Sequence, residues 1–201
     1  MMINRTEDIE LFPTLLMRVP NFLTKEKCEW ILNTYRNSEI LAPHKYFVGP
    51  GSRSSHAYDK HVDVLADINE SDMCFGITDM VKGAITEYIR KTGIANVAIT
   101  NSWLNIQNEG GKIFRHAHPG SIITGIIYIN ADEGSSLYFY DNNIATCWTP
   151  NQADSKYKSE KYRFVPTSGD LIIFPSWLQH GTEEDFTTHE RTVLAFNTHA
   201  C

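Results

Sequence analysis

The second half of the chain is a succession of strand-length apolar runs, and this pattern limits the fold more than any other feature. From Ile94 onward the runs are Val97 to Ile106, Ile122 to Ile129, Leu137 to Tyr140, Leu171 to Phe174 and Val193 to Phe196. Turn formers separate most of them, among them Glu109-Gly-Gly111, Glu133-Gly134 and Ser168-Gly169-Asp170. Short β-prone segments at such intervals, each followed by a reversal, predict a β-sandwich or barrel. Asn142 to Tyr162 breaks the rhythm, being too long and polar for a plain hairpin, and is expected to be a functional insertion over a barrel mouth.

The first half has a different period. Thr24 is placed to cap a helix whose Cys28, Ile31, Leu32 and Tyr35 recur at helical spacing. A second helix is expected from near Ser71, with Met73, Ile77, Met80, Val81, Ala84, Ile85 and Tyr88 on one face and Gly93 as its stop. Between the two helices, Ala42 to Ser55 is rich in turn formers and reads as a surface loop able to act as a lid. A short extended stretch near Leu15 to Val19 precedes them. The 201 residues suit one domain, 1–201, with a helical front and lid loop over 1–93 and a β core over 94–201.

Composition removes several function classes. A net charge of -6 and a pI near 5.7 argue against a binder of phosphate backbones, so no nucleic-acid partner is expected. No apolar run approaches a membrane span, and Met-Met-Ile-Asn-Arg-Thr-Glu-Asp lacks the apolar centre of a signal peptide. The expected location is cytoplasmic, the host cytoplasm for a phage-encoded chain. Cys28, Cys74, Cys147 and Cys201 lie far apart without a Cys-x-x-Cys pair, which predicts reduced thiols.

The chemistry-bearing residues stand in a fixed order: His116 and His118 in Arg-His-Ala-His-Pro, His180 in Trp-Leu-Gln-His-Gly, then Arg191. Side chains two apart on a strand share a face, so His116 and His118 can offer two imidazoles to one ion. His180 follows the buried-looking segment Asp170 to Phe174, where a second strand can carry it across to complete a facial set. Three ligands on one side of a metal leave the other side open. Arg191 begins the last core strand, and a guanidinium grips a carboxylate through two parallel hydrogen bonds.

The order of strand, His-x-His, Thr-Gly-Ile-Ile-Tyr-Ile-Asn130, Gly-Ser-Ser-Leu-Tyr-Phe-Tyr-Asp141, Ser-Gly-Asp-Leu-Ile-Ile-Phe-Pro175, His180 and Arg191 resembles the Fe(II)- and 2-oxoglutarate-dependent dioxygenases, in their prolyl-hydroxylase-like branch. It is similar in particular to small bacterial and phage oxygenases with a His-x-His-Pro segment and a Phe-Pro-Ser-Trp-Leu-x-His segment. The resemblance covers residues 95 to 199 well and the front loosely. It implies a double-stranded β-helix, a cupin-like jelly roll, braced by two or more α-helices. It also implies Fe(II) as metal and 2-oxoglutarate as co-substrate, with a small molecule, peptide or protein as substrate. On this resemblance His116, His118 and His180 are the ligands, Arg191 grips the distal carboxylate of 2-oxoglutarate, and Asn105 and Tyr128 reach the same molecule. Lys112, Arg115 and Trp177 are candidates for the substrate region, with Trp177 close enough to His180 to shield the iron from water.

One departure leaves alternatives open. The family's first pair is His-x-Asp or His-x-Glu, whereas this chain has His118, so the site takes its negative charge from the co-substrate. Either His118 is a ligand, or it stands behind the site with Asp141 or another acid completing the set, or the clamp lacks a carboxylate as in halogenase relatives. Three-histidine sites also occur in cupin-like metal proteins that do not use 2-oxoglutarate, and a metal-free jelly roll binding a sugar or partner is a third reading. His44, His56 and His61 read as surface residues of the front, and His189 and His199 as bystanders.

Overall fold

The computed structural model describes residues 10–43, 47–48, 51–56, 63–142, 160–182 and 189–201. Thr24, in extended conformation, accepts from the Lys27 N–H through Oγ1 (3.4 Å) and starts α1 (Lys25–Tyr35), which buries Cys28, Ile31 and Tyr35. The short α2 (Val64–Asn69) starts from Asp63, whose carboxylate accepts from the Ala66 N–H. Gly93, at φ 70°, ends α3 (Ile77–Thr92) in the left-handed region that favours glycine. That helix begins later than Ser71. Gly76 sits at φ 83°, a left-handed residue through which a right-handed helix cannot run, so Met73 falls before the helix. Met73 and Met80 are exposed, and Ile77, Val81, Ile85 and Tyr88 form the buried face.

The strands in chain order are β1 (Met17–Val19), β2 (Phe47–Val48), β3 (Arg53–Ser54), β4 (Val97–Gln107), β5 (Lys112–Ile113), β6 (Ile123–Asn130), β7 (Leu137–Tyr140), β8 (Lys161–Phe164), β9 (Leu171–Pro175), β10 (His180–Gly181) and β11 (Arg191–Ala200). They form a large sheet ordered β1-β9-β6-β11-β4-β3, a small sheet ordered β10-β7-β8, and a β2-β5 pair, all antiparallel. The two larger sheets face one another as a jelly roll, the double-stranded β-helix implied by the resemblance. The run expected at Ala42 to Ser55 is more than a surface loop. It supplies β3 to the edge of the large sheet, and Ser52, Ser54 and Ser55 are buried there. Residues 44–46 and 49–50, on which the lid expectation also falls, lie outside the described residues, as do 143–159 of the expected insertion.

Because the large sheet is covered on both faces, its strands read as continuous apolar runs, yet residue parity still sorts them. Leu104, Ile106, Ile123, Ile127, Leu171, Ile173, Leu194 and Phe196 point to the helices and share a core with Ile31, Leu65, Ile77 and Val81. Trp103, Ile126, Tyr128, Ile172, Phe174, Val193 and Ala195 point the other way and pack against Leu137, Phe139 and Phe164 of the small sheet. Gly125 lies on the helix face opposite Phe196, where a Cβ would come within 2.0 Å of that ring. Glycine is required here by the close approach of the ring. Cys28, Cys74 and Cys201 are free thiols, and Cys147 lies outside the described residues.

Candidate metal centre and co-substrate pocket

Three histidines meet at one end of a cavity of about 500 Å³ between the two sheets. His180 opens β10, and His116 pairs with it backbone to backbone, each N–H donating to the other's carbonyl at 2.9 Å. His118 is tied by its N–H to the Ser176 carbonyl (2.9 Å). The His-x-His segment is therefore an extended piece with one isolated bridge, outside any regular strand, but it still presents both imidazoles to the same space. The ring centroids lie 4.5 Å (His116 to His180), 5.1 Å (His116 to His118) and 5.1 Å (His118 to His180) apart. The candidate ligand atoms all fall within 4.8 Å of one another.

Each imidazole is oriented through its Nδ1. His116 Nδ1 is 2.7 Å from the Phe114 carbonyl, His180 Nδ1 is 2.9 Å from the Leu178 carbonyl, and His118 Nδ1 is 2.9 Å from Asn197 Oδ1. A carbonyl oxygen can only accept, so the two histidines facing backbone carbonyls carry their proton on Nδ1. The Asn197 amide, assigned with its oxygen toward His118, imposes the same tautomer. Every Nε2 is then left with a lone pair, as a metal ligand requires. Burial, then the neighbouring His116, pulls His118 down to about 4, and the same two influences carry His180 well below its ordinary value. The pair are neutral imidazoles at neutral pH. His118 Nε2 is buried without a hydrogen-bond partner, a costly state that a divalent cation would relieve. The donor set fits a first-row transition metal such as Fe(II).

The other end of the cavity holds Arg191, which is 1% exposed. Its Nη1 donates to Gln107 Oε1, directly opposite on β4, its Nε has no partner, and its guanidinium carbon stands 5.3 Å from the centre of the Tyr128 ring. The Tyr128 hydroxyl is also buried and unpartnered, and burial raises its pKa. Burial lowers that of Arg191. Among the described residues no carboxylate pairs with this guanidinium. Asn105 lines the cavity between the two ends, its Oδ1 accepting from Ser54 Oγ at 2.7 Å.

Several expected residues lie elsewhere. Asp141 is exposed beyond the end of β7 and outside the histidine group, which leaves His118 in the position that Asp141 would otherwise have completed. Trp177 is 55% exposed and does not line the cavity. It lies three positions before His180, and the chain turns between them, so the two side chains do not share a face. Lys112 and Arg115 also stand outside the lining. Lys112 packs over the Phe114 ring, and Arg115 packs over Tyr140 and bonds Gln179. Aromatic rings beside the histidines include Trp103, stacked 5.7 Å from His118 with His56 edge-on to it at 5.0 Å, and Phe174, edge-on to His180 at 4.8 Å. His56, expected as a surface residue, lines the cavity, while His44 and His61 lie outside the described residues. Gln107 and Asn197 were not singled out from the sequence. Both share strand parity with Asn105 or Arg191, and that signal was available.

Fold and site together combine a double-stranded β-helix with a three-histidine group able to hold one metal ion and a buried cation across the same cavity. Residues 101–197 match the family model described as "Putative 2OG-Fe(II) oxygenase". The whole fold is similar to a prolyl-4-hydroxylase from Pseudomonas putida (TM-score 0.64, 11% identity, covering 94% of each chain). It is also similar to HygX from Streptomyces hygroscopicus with nickel and 2-oxoglutarate bound (TM-score 0.61, 12% identity, covering 93% of this chain and 83% of that one). A third likeness is to a prolyl hydroxylase from Trichoplax adhaerens in complex with a hypoxia inducible factor peptide fragment (TM-score 0.60, 13% identity, covering 92% and 83%). At these identities the likeness is one of fold. No curated protein sequence matches. Among the described residues no helix is long and apolar enough to cross a membrane.

Proposed function

We propose that this chain couples the oxidative decarboxylation of 2-oxoglutarate by O2 to hydroxylation of a C–H bond in a second substrate, one oxygen atom entering succinate and the other the new hydroxyl, with release of CO2. The observation that carries the reading is the two-ended cavity, with three Nε2 lone pairs at one end and, at the other, a buried guanidinium that no acid pairs among the described residues. In this reading His116, His118 and His180 hold Fe(II), which when bound supplies the oxygen activation characteristic of the family. Arg191 binds the distal carboxylate of 2-oxoglutarate, Tyr128 donates its otherwise unpartnered hydroxyl to the same group, and Asn105 supports the molecule along its length. Trp103, with Leu137 and Ile126, keeps that end of the cavity apolar and limits water. A peptidyl side chain, proline among them, is the substrate class favoured by the prolyl hydroxylases among the fold's neighbours.

Among the described residues the histidine group includes no carboxylate, which favours a second reading, a three-histidine metal protein that does not use 2-oxoglutarate. Anaerobic calorimetric titration of 2-oxoglutarate into the Mn(II)-loaded protein separates them. The oxygenase reading expects saturable binding that Arg191→Ala weakens by about 10²–10³-fold, since removing one partner of a buried charged pair costs about 3–5 kcal/mol. Absent binding in the wild type, or equal binding in the variant, would transfer the assignment to the second reading. Mass spectrometry of proline-containing peptides after aerobic turnover tests the substrate class, a gain of one oxygen being the expected product.

A further inference from the structure

We propose that Gln107 is a positioning residue that reserves the charge of Arg191 for the co-substrate and so sets the preference for a dicarboxylate over a monocarboxylate 2-oxo acid. The inference rests on Arg191 being the co-substrate anchor. Gln107 is fully buried and directly opposite Arg191 across the β4–β11 pair. A buried guanidinium is usually paired with an acid. Here its cross-strand neighbour has the shape of glutamate without the charge.

The amide can point only one way. Its Oε1 accepts from Arg191 Nη1, and its Nε2 donates to Thr182 Oγ1 (3.1 Å), a hydroxyl already held by the Ile113 N–H (2.8 Å). Turning the amide over would set its NH2 against the guanidinium, donor to donor. The network therefore fixes the direction of the guanidinium and leaves its full positive charge in place. Arg191 Nε and the Tyr128 hydroxyl, both buried and unpartnered, remain as donors. An arriving carboxylate meets an oriented, unneutralised cation. A 2-oxo acid without a distal carboxylate leaves that cation unpaired, with the desolvation cost of a buried charge still standing.

The test compares wild type, Gln107→Glu and Arg191→Ala, each loaded with Mn(II) and titrated anaerobically with 2-oxoglutarate and with 2-oxobutanoate. Wild type is expected to prefer 2-oxoglutarate. Gln107→Glu places a carboxylate against Arg191 and is expected to weaken 2-oxoglutarate by about 100-fold or more. Its affinity for 2-oxobutanoate and for Mn(II) should stay where it was, and its melting temperature should not fall. A merely structural role would move both acids together or neither. Should Gln107→Glu fail to fold, Gln107→Met decides: loss of one hydrogen bond to a charged group is expected to loosen 2-oxoglutarate roughly ten- to hundredfold and spare 2-oxobutanoate. A Gln107→Glu protein that keeps the wild-type preference while Arg191→Ala loses it overturns this inference alone. A wild type that does not bind 2-oxoglutarate, or an Arg191→Ala variant that binds it equally well, overturns the anchor as well.

Discussion

The two faces of the large sheet are built from the same strands and serve opposite purposes. On β11, Leu194 and Phe196 face the helices in an apolar core, while Arg191, Val193, Ala195 and Asn197 line the cavity. On β4, Leu104 and Ile106 face the helices, and Trp103 and Asn105 face the cavity with Gln107 beside Arg191. On β6, Ile123 and Ile127 oppose Thr124, Ile126 and Tyr128 in the same alternation. A rigid, dry face holds the register, and register is what brings Gln107 opposite Arg191 and Thr124 opposite Asn197. The cavity is therefore set by strand pairing, and among the three histidines only His116 and His118 stand on a segment outside a regular strand. Substitutions on one face should change stability, and substitutions on the other should change ligands.

The largest effect is expected at the metal position. His180 stands on β10 of the small sheet and lines the cavity from the side opposite the chemistry-bearing face; it is buried, and its Nδ1 is held by the Leu178 carbonyl. His180→Ala should leave the purified protein without stoichiometric iron, a greater loss than the 10–100-fold associated with removing a supporting partner. Metal analysis of reconstituted protein checks this. A full complement of iron in the variant would take His180 out of the site and break the division between the faces.

Phe196, on the opposite face, should give the reverse phenotype. Its ring is fully buried over Gly125, and Phe196→Ala is expected to cost about 3–5 kcal/mol of stability in chemical denaturation. Gly125→Ala crowds the same contact from the other side and is expected to cost about 1–3 kcal/mol. The folded fraction of either variant should bind 2-oxoglutarate as wild type does. A change in affinity matching the change in stability would show that the two faces are not separable.

The sequence made some of this division visible. The apolar runs of β4, β6, β7, β9 and β11 announce themselves because both faces of each are buried, and Thr24 and Gly93 mark helix ends through local backbone chemistry. The three histidines and Arg191 stood out by order and residue type. What stayed hidden depends on partners distant in the chain. His116 and His118 are held by His180 and Ser176, so their own neighbours do not reveal that they lie outside a strand. Gln107 and Asn197 look like ordinary polar residues until the register of β11 against β4 and β6 gives them Arg191 and His118. Trp177 drew attention by closeness in sequence to His180. Trp103 reaches the site because it shares a sheet face with Ala195 and Asn105.

Asn197 tests the division on its finer scale, because it touches a candidate ligand and is not one. It lies on the cavity face of β11, next to the register shift between Asn197 and Thr198. Its Oδ1 faces His118 Nδ1 and also accepts from Thr124 Oγ1 (3.0 Å), which in turn meets Ser176 Oγ (2.8 Å). The chain of bonds holds the proton of His118 on Nδ1 and its lone pair on Nε2. Asn197→Leu removes the acceptor without removing bulk, so His118 is free to rotate or to move its proton to Nε2. Metal affinity should fall by about 10–100-fold, the usual worth of an outer partner of a histidine ligand. Asn197→Asp keeps an acceptor and makes it anionic, which raises the basicity of the imidazole, so its affinity should be at least that of wild type. Competitive titration with a chromophoric chelator under anaerobic conditions measures all three proteins. Equal losses in the Leu and Asp variants would mean that Asn197 matters for packing on β11 rather than for the orientation of His118.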